Sequence, residues 1–196
     1  MNGALARVVR SGAAAGRTAA AEACELCAAP VAEEHAHLYE AEADGLRCVC
    51  GPCSVLFADG GAGGGRYRLV PRRRVRLAPV DTAVLGVPVG LVFFVPRSDG
   101  SVTAEGPSPA GAMRWEIDAS AWRGLAESAP PLAGMVPDVE ALLINTVRGH
   151  EEHWIVPIDD CFRMVALVRE EWRGLSGGGR VWPAVERFFT ELTERS

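Results

Sequence analysis

Residues Val87 to Val95 read VPVGLVFFV, a compact apolar run. Closed by the turn signal Arg97-Ser98-Asp99-Gly100, it reads as a central strand. The wider stretch Val84 to Val95 is broken by Gly86, Pro88 and Gly90. It falls well short of the ~20 apolar residues that span a bilayer, so no membrane span is expected. Upstream, Arg66 to Leu77 (RYRLVPRRRVRL) alternates apolar and basic residues, which predicts one or two short strands interrupted at Pro71. Downstream, Val102 to Glu105 and Met113 to Ile117 are short strands around a Pro/Gly-rich loop.

Further along, Asp118 is placed to cap a helix from Ala119 to Glu127, with Trp122 and Leu125 inward and Pro130-Pro131 as its stop. Ala141 to Val147 and His153 to Ile158 read as a hairpin around Arg148-Gly149-His150. The first of these has a period that also allows a helix. Asp159 or Asp160 is expected to cap a helix through Arg173, with Cys161, Val165, Val168 and Trp172 on one face. Gly174 and Ser176 to Gly179 stop it. A last helix from Val181 to Thr193 carries Trp182, Val185, Phe189 and Leu192 as a stripe. The fold class is therefore α+β: a short, mostly antiparallel sheet with C-terminal amphipathic helices.

The first third differs in kind. Residues 1–22 read as an Ala/Arg leader with little to bury and without the sustained apolar core of a secretory signal. Residues 23–58 are cysteine-rich, 59–65 (DGGAGGG) form a glycine linker, and 66–196 make up the α+β domain. A cytoplasmic location is expected. There, cysteines act as thiols, metal ligands or redox groups more often than as structural disulfides.

Five of the six cysteines lie between Cys24 and Cys53, reading CELC, then HAH, then CVCGPC. A C-x-x-C turn points two sulfurs at one centre, and two such turns complete a tetrahedral thiolate set. Cys24, Cys27, Cys50 and Cys53 are the expected ligands of a zinc-ribbon or knuckle-like module, although the gap between the pairs is slightly longer than usual. Metal would supply folding energy on the order of 10 kcal/mol to a segment poor in apolar surface. Zinc is the first choice. A rubredoxin-like iron or an iron–sulfur cluster uses the same ligands. Cys48 could replace Cys50, tune the site or be buried. His35 and His37, two apart, share a face if extended, and could complete a mixed site, bond to thiolates or simply be polar surface.

Cys161, at a helix start with His153 near in sequence, could be a nucleophile, but adjacent Asp159 and Asp160 and its place on the apolar stripe favour a structural thiol. Arg66, Arg68, Arg72, Arg73, Arg74 and Arg76 form the main basic cluster, either a phosphate-binding arm or a charged edge strand. The whole chain carries a net charge of −5 with pI near 5.4, which argues against a generic nucleic-acid binder. All 20 basic residues are Arg, as expected of a GC-rich bacterial genome. The Ser176 to Gly179 stretch lacks the Lys-Ser/Thr of a phosphate loop.

The string CELC…HAHL…CVCGPCSVLF, with RYRLVP, VPVGLVFF, PSPAGA, PDVEALLIN, HWIVPIDDCFRMVALVREEWRGLSGG and VW…FF, resembles an uncharacterised bacterial family, a domain of unknown function found mainly in actinobacteria. The resemblance covers nearly everything from Cys24 to Phe189. It implies a gene neighbourhood beside uptake nickel–iron hydrogenases. An accessory role in hydrogenase assembly, maturation or electron transfer follows from that, with a hydrogenase subunit or maturation factor as the protein partner. A non-enzymatic accessory protein is thus the leading expectation. An iron electron carrier and a zinc-ribbon nucleic-acid binder are the alternatives.

Overall fold

A computed structural model describes residues 22–58, 62–108, 111–172 and 179–196. The leader (except Glu22), residues 59–61 of the linker, Arg173, Gly174 and Ser176 to Gly178 lie outside the described residues. The described chain is α+β, with nine strands in two antiparallel sheets and five α-helices.

The small sheet has the order β2-β1-β3, from β1 (Ala36–Glu40), β2 (Gly45–Val49) and β3 (Tyr67–Leu69). The large sheet has the order β4-β9-β8-β5-β6-β7. It is built from β4 (Val75–Arg76), β5 (Leu91–Pro96), β6 (Val102–Ser108), β7 (Gly111–Ile117), β8 (Glu140–Asn145) and β9 (Glu152–Pro157).

Of the apolar run, Leu91 to Val95 falls on β5, at an inner position of the large sheet flanked by β6 and β8, while Val87 to Gly90 precede the strand. Its side chains alternate between two cores. Leu91, Phe93 and Val95 face one and Val92 and Phe94 the other, as strand geometry requires. Strands β8 and β9 do the same, with Leu143 and Trp154 on the first side and Leu142, Ile144 and Ile155 on the second. A strand apolar on both faces is therefore what this position demands.

Gly90, just before β5, is required by close approach. A Cβ there would sit 3.0 Å from Thr146 Oγ1 and from Val147 Cγ2. The β5–β6 turn closes with Arg97 N–H donating to Ser101 O (2.8 Å) and with Gly100 at φ 87°, a conformation that favours glycine.

Five α-helices complete the described chain. The short α1 (Gly51–Val55) follows β2, and α2 (Ala119–Ser128) and α3 (Pro130–Ala133) follow β7. The long helices are α4 (Ile158–Glu171) and α5 (Val181–Glu194). Asp118 accepts from the Ser120 and Ala121 amides, satisfying two orphan donors of α2. Helices α4 and α5 cover one face of the sheet with Cys161, Met164, Val168, Val185, Phe188 and Leu192. Trp122, Leu125 and Leu132 from α2 and α3 cover the other.

Two expectations change, whereas Pro130-Pro131 stops α2 just after Ser128 as expected. The pair also opens α3, where missing amides cost nothing. Asp159 and Asp160 do not cap α4. Strand β9 runs directly into the helix, Pro157 is its cap, and both acids lie in the first turn with their carboxylates committed elsewhere. Finally, the Arg66 to Leu77 stretch divides at Pro71. Strand β3 pairs with β1 in the small sheet, and β4 pairs with β9 in the large one. The strand assigned by sequence to the second segment thus completes the sheet of the first.

Phe93 is fully buried between the long helices and the sheet. Phe93→Ala is expected to cost about 3–5 kcal/mol in urea unfolding. Val84→Ala, at an exposed site, should change it by less than about 0.5 kcal/mol.

Candidate metal centre

The first cysteine pair sits in a tight return closed by a bridge between Ala23 and Pro30. Cys24 N–H donates to Ala29 O and Ala28 N–H to Cys24 O, each at 2.7 Å, while Ala28 adopts a left-handed φ of 60°. Glu25 straps this loop to β2. Its amide donates to Cys48 O (2.9 Å) and its carboxylate accepts the Cys48 amide (2.6 Å). The second pair straddles the start of α1. Cys50 is extended at the N-cap, Pro52 occupies the first turn, and Cys53 stands within that turn. A strand end followed by a helix turn thus aims both sulfurs to one side.

These local shapes bring the four sulfurs of Cys24, Cys27, Cys50 and Cys53 within 4.8 Å of one another. Cys27 Sγ and Cys50 Sγ are 3.7 Å apart. A disulfide needs about 2.05 Å, and all six cysteines are free. A tetrahedral ion with metal–sulfur bonds of about 2.3 Å spaces its sulfurs by about 3.8 Å. The quartet therefore fits a single thiophilic ion in donor type, number and spacing.

Its electrostatics point the same way. The Cys24 thiol is lowered to about 6, chiefly because the Cys50 amide donates to its sulfur, with the Leu26 and Cys27 amides adding to the effect against burial. The Ala29 amide favours a Cys27 thiolate, but sharing with the Cys24 and Cys50 sulfurs outweighs it and the thiol is raised. Cys53 is pushed up to about 12 by its Cys50 and Cys27 neighbours. Without a cation, like charges on neighbouring sulfurs repel, which opposes full ionisation of the set. A divalent ion removes that obstacle.

Cys48, His35 and His37 do not join the quartet. They gather with one another, their ligand atoms also within 4.8 Å. In the β1–β2 register His37 lies directly opposite Cys48. The His35 and His37 rings are 4.6 Å apart. The sequence reading missed two contributors. It did not recognise the Ala36–Val49 hairpin that creates this pairing. It also treated Asp159 as a helix cap, whereas its Oδ2 accepts from His37 Nδ1 at 2.9 Å, 122 residues away in sequence. The available signal was the EADG turn, which fixes the hairpin register once both flanks are read as strands.

The remaining candidates have structural occupations. Cys161 is fully buried, and burial pushes its thiol well above the ordinary value, with the Asp160 and Asp159 charges adding. His153 is also buried and accepts the Val80 amide at 3.4 Å. Arg66, Arg68, Arg73, Arg74 and Arg76 are ion-paired with Glu40, Asp138, Glu140, Asp160 and Glu152 respectively. The basic run thus spends most of its charge on the protein's own carboxylates. Among the described residues no helix is long and apolar enough to cross a membrane. Cys161 is expected to resist iodoacetamide at pH 8 in the folded protein and to react only in denaturant, as read by peptide mass spectrometry. Modification in the native state would contradict the burial argument.

No curated protein and no solved structure matches the chain. One family model does, over residues 23–196, which takes in both sheets and the cysteine quartet. The chain belongs to that family, described as a family of unknown function (DUF5947).

Proposed function

We propose that the quartet of Cys24, Cys27, Cys50 and Cys53 holds one structural zinc ion in a zinc-ribbon-like module, and that the protein is a non-enzymatic accessory factor which docks a protein partner through that module. The observation that carries this is four unbridged sulfurs within 4.8 Å of one another, on two tight turns. All four positions belong to protein ligands, and such closed sites stabilise structure instead of activating water. Zinc bound there would be a redox-inert dication neutralising the thiolates.

Docking is supported by what surrounds the site. Leu26, inside the first turn, is 43% exposed, and Val55 and Leu56, just beyond Cys53, are 71% and 63% exposed. Half of the large apolar side chains found exposed thus sit beside the cysteines in sequence, and such exposure is a feature of protein interaction sites. The resemblance drawn from the sequence directs this surface to a hydrogenase subunit or maturation factor. The internal pairing of the Arg66 to Arg76 run weighs against a nucleic-acid partner. An iron centre in electron transfer is the second reading. Exposure of Cys27 favours it, because a carrier needs its centre near the surface.

Two measurements test these readings. Protein purified without added metal should be colourless and contain zinc, and Cys27→Ser should lose about one ion per chain, with the turns around Cys24–Cys27 and Cys50–Cys53 becoming protease-sensitive. Brown or red protein containing iron would replace the zinc reading with the iron one. Unchanged metal content in the variant would remove the quartet as ligands. Separately, Val55→Asp with Leu56→Asp should weaken binding to a purified uptake nickel–iron hydrogenase or its maturation factor by about tenfold or more, with metal content unchanged. Equal binding by both proteins would refute this docking surface.

A further inference from the structure

Three donors outside the quartet converge at the junction of the two sheets, and in both histidines among them the second ring nitrogen is already occupied. His37 Nδ1 donates to Asp159 Oδ2 at 2.9 Å, which leaves the lone pair of a neutral ring on Nε2. His35 Nδ1 donates to Ala32 O at 2.9 Å, with the same consequence for its own Nε2. Cys48 supplies a free thiol from the strand position opposite His37. The three ligand atoms lie within 4.8 Å of one another.

His35 Nε2 carries the argument furthest. Its side chain is only 7% exposed, and the nitrogen has no hydrogen-bond partner among the described residues. The Glu22 carboxylate, 3.6 Å away, is too distant to bond it. A buried, unsatisfied acceptor in a well-packed place calls for an explanation. A metal ion provides one, because it binds through the lone pair that no donor here engages. The carboxylate behind His37 is the arrangement by which metal-binding histidines are oriented and made more basic.

We propose a second metal site, distinct from the quartet, in which His35, His37 and Cys48 bind a divalent transition-metal ion of the zinc class. Two imidazoles and one thiolate suit such an ion. Three protein ligands leave a fourth position, to be filled by water or by the Glu22 carboxylate, which lies 3.6 Å from His35 Nε2. Asp159 is a positioning residue, not a ligand. Because it lies in the first turn of α4, this site ties the cysteine module to the large core.

The site is tested by loading metal-free full-length protein with cadmium-113 and recording its NMR spectrum. Wild-type protein should bind two ions and give two resonances, one typical of four thiolates and one upfield of it, as nitrogen ligands produce. His37→Ala and Cys48→Ser should each abolish the upfield resonance and leave the tetrathiolate one in place, which also shows that the module still folds. Asp159→Asn should weaken cadmium binding at the upfield site alone, by about 10- to 100-fold. A wild-type spectrum with only the tetrathiolate resonance overturns the proposal. So does loss of both resonances in every variant, since these residues would then serve the fold of a single site.

Discussion

Four sulfur atoms cannot be held within 4.8 Å of one another as anions unless something positive lies among them. This constraint organises the first third of the chain. The return from Ala23 to Pro30 and the strand-to-helix step at Cys50 are small, irregular shapes, each closed by a few backbone hydrogen bonds of its own. What they share is direction, since both aim thiols at one point. Amide groups from Leu26, Cys27 and Cys50 converge on the Cys24 sulfur, so the backbone itself favours a charged ligand there. A disulfide would need sulfurs at bonding distance, and a hydrophobic cluster would not need the amides.

The rest of the molecule is assembled on a second electrostatic rule. Among the described residues five carboxylates are buried, Glu40, Glu105, Asp138, Glu140 and Asp160, and each is met by arginine. Glu40 takes two, Arg47 from β2 and Arg66 from the residue just before β3. Arg68 and Asp138 join the small sheet to the large one, as does the contact of Arg97 with Tyr39 and Asp44. Removing one member of such a pair strands the other without solvent, which is costly even where the intact pair adds little net stability. Arginine suits this use because its planar fork can serve a carboxylate and a second acceptor together, as Arg73 does with Glu140 and Gly134 O. The arrangement fixes which strands meet more than it raises overall stability.

The legibility of the sequence follows from these two rules. Features decided within about ten residues could be read directly. Leu91 to Val95 of the apolar run fell on β5, the Asp118 cap on α2, and the C-x-x-C turns on the quartet. Features decided by distant partners could not. The assignment of the two halves of Arg66 to Leu77 to different sheets depends on β1 and β9, which lie far apart in the chain. Asp159 looked like a cap because aspartate before a helix usually is one. Its partner, His37, is on another sheet. The arginine run carried the charge pattern of a free basic edge, and only the fold supplied the acids that meet it.

Order in the cysteine module therefore has two separable sources. Its own buried cluster consists of Cys24, Leu38, Val49 and Phe57, a small core in which one member is a ligand. Tyr39 and Val70, by contrast, are buried in the core under α4 and α5. Strands β1 and β3 thus dock through apolar contacts that an ion does not make, and Tyr39 is further fixed by Asp44 and Arg97. The loop around Cys24 and the short helix after Cys50 have no such anchor. Helix α1 buries none of its residues, and five residues are too few for a helix to persist alone in water. Loss of metal should then be felt locally, at the two turns and the apolar side chains beside them, while the docked strands stay with the large sheet. A surface made of Leu26, Val55 and Leu56 would form or dissolve with the ion, so metal occupancy and partner binding would be one linked equilibrium.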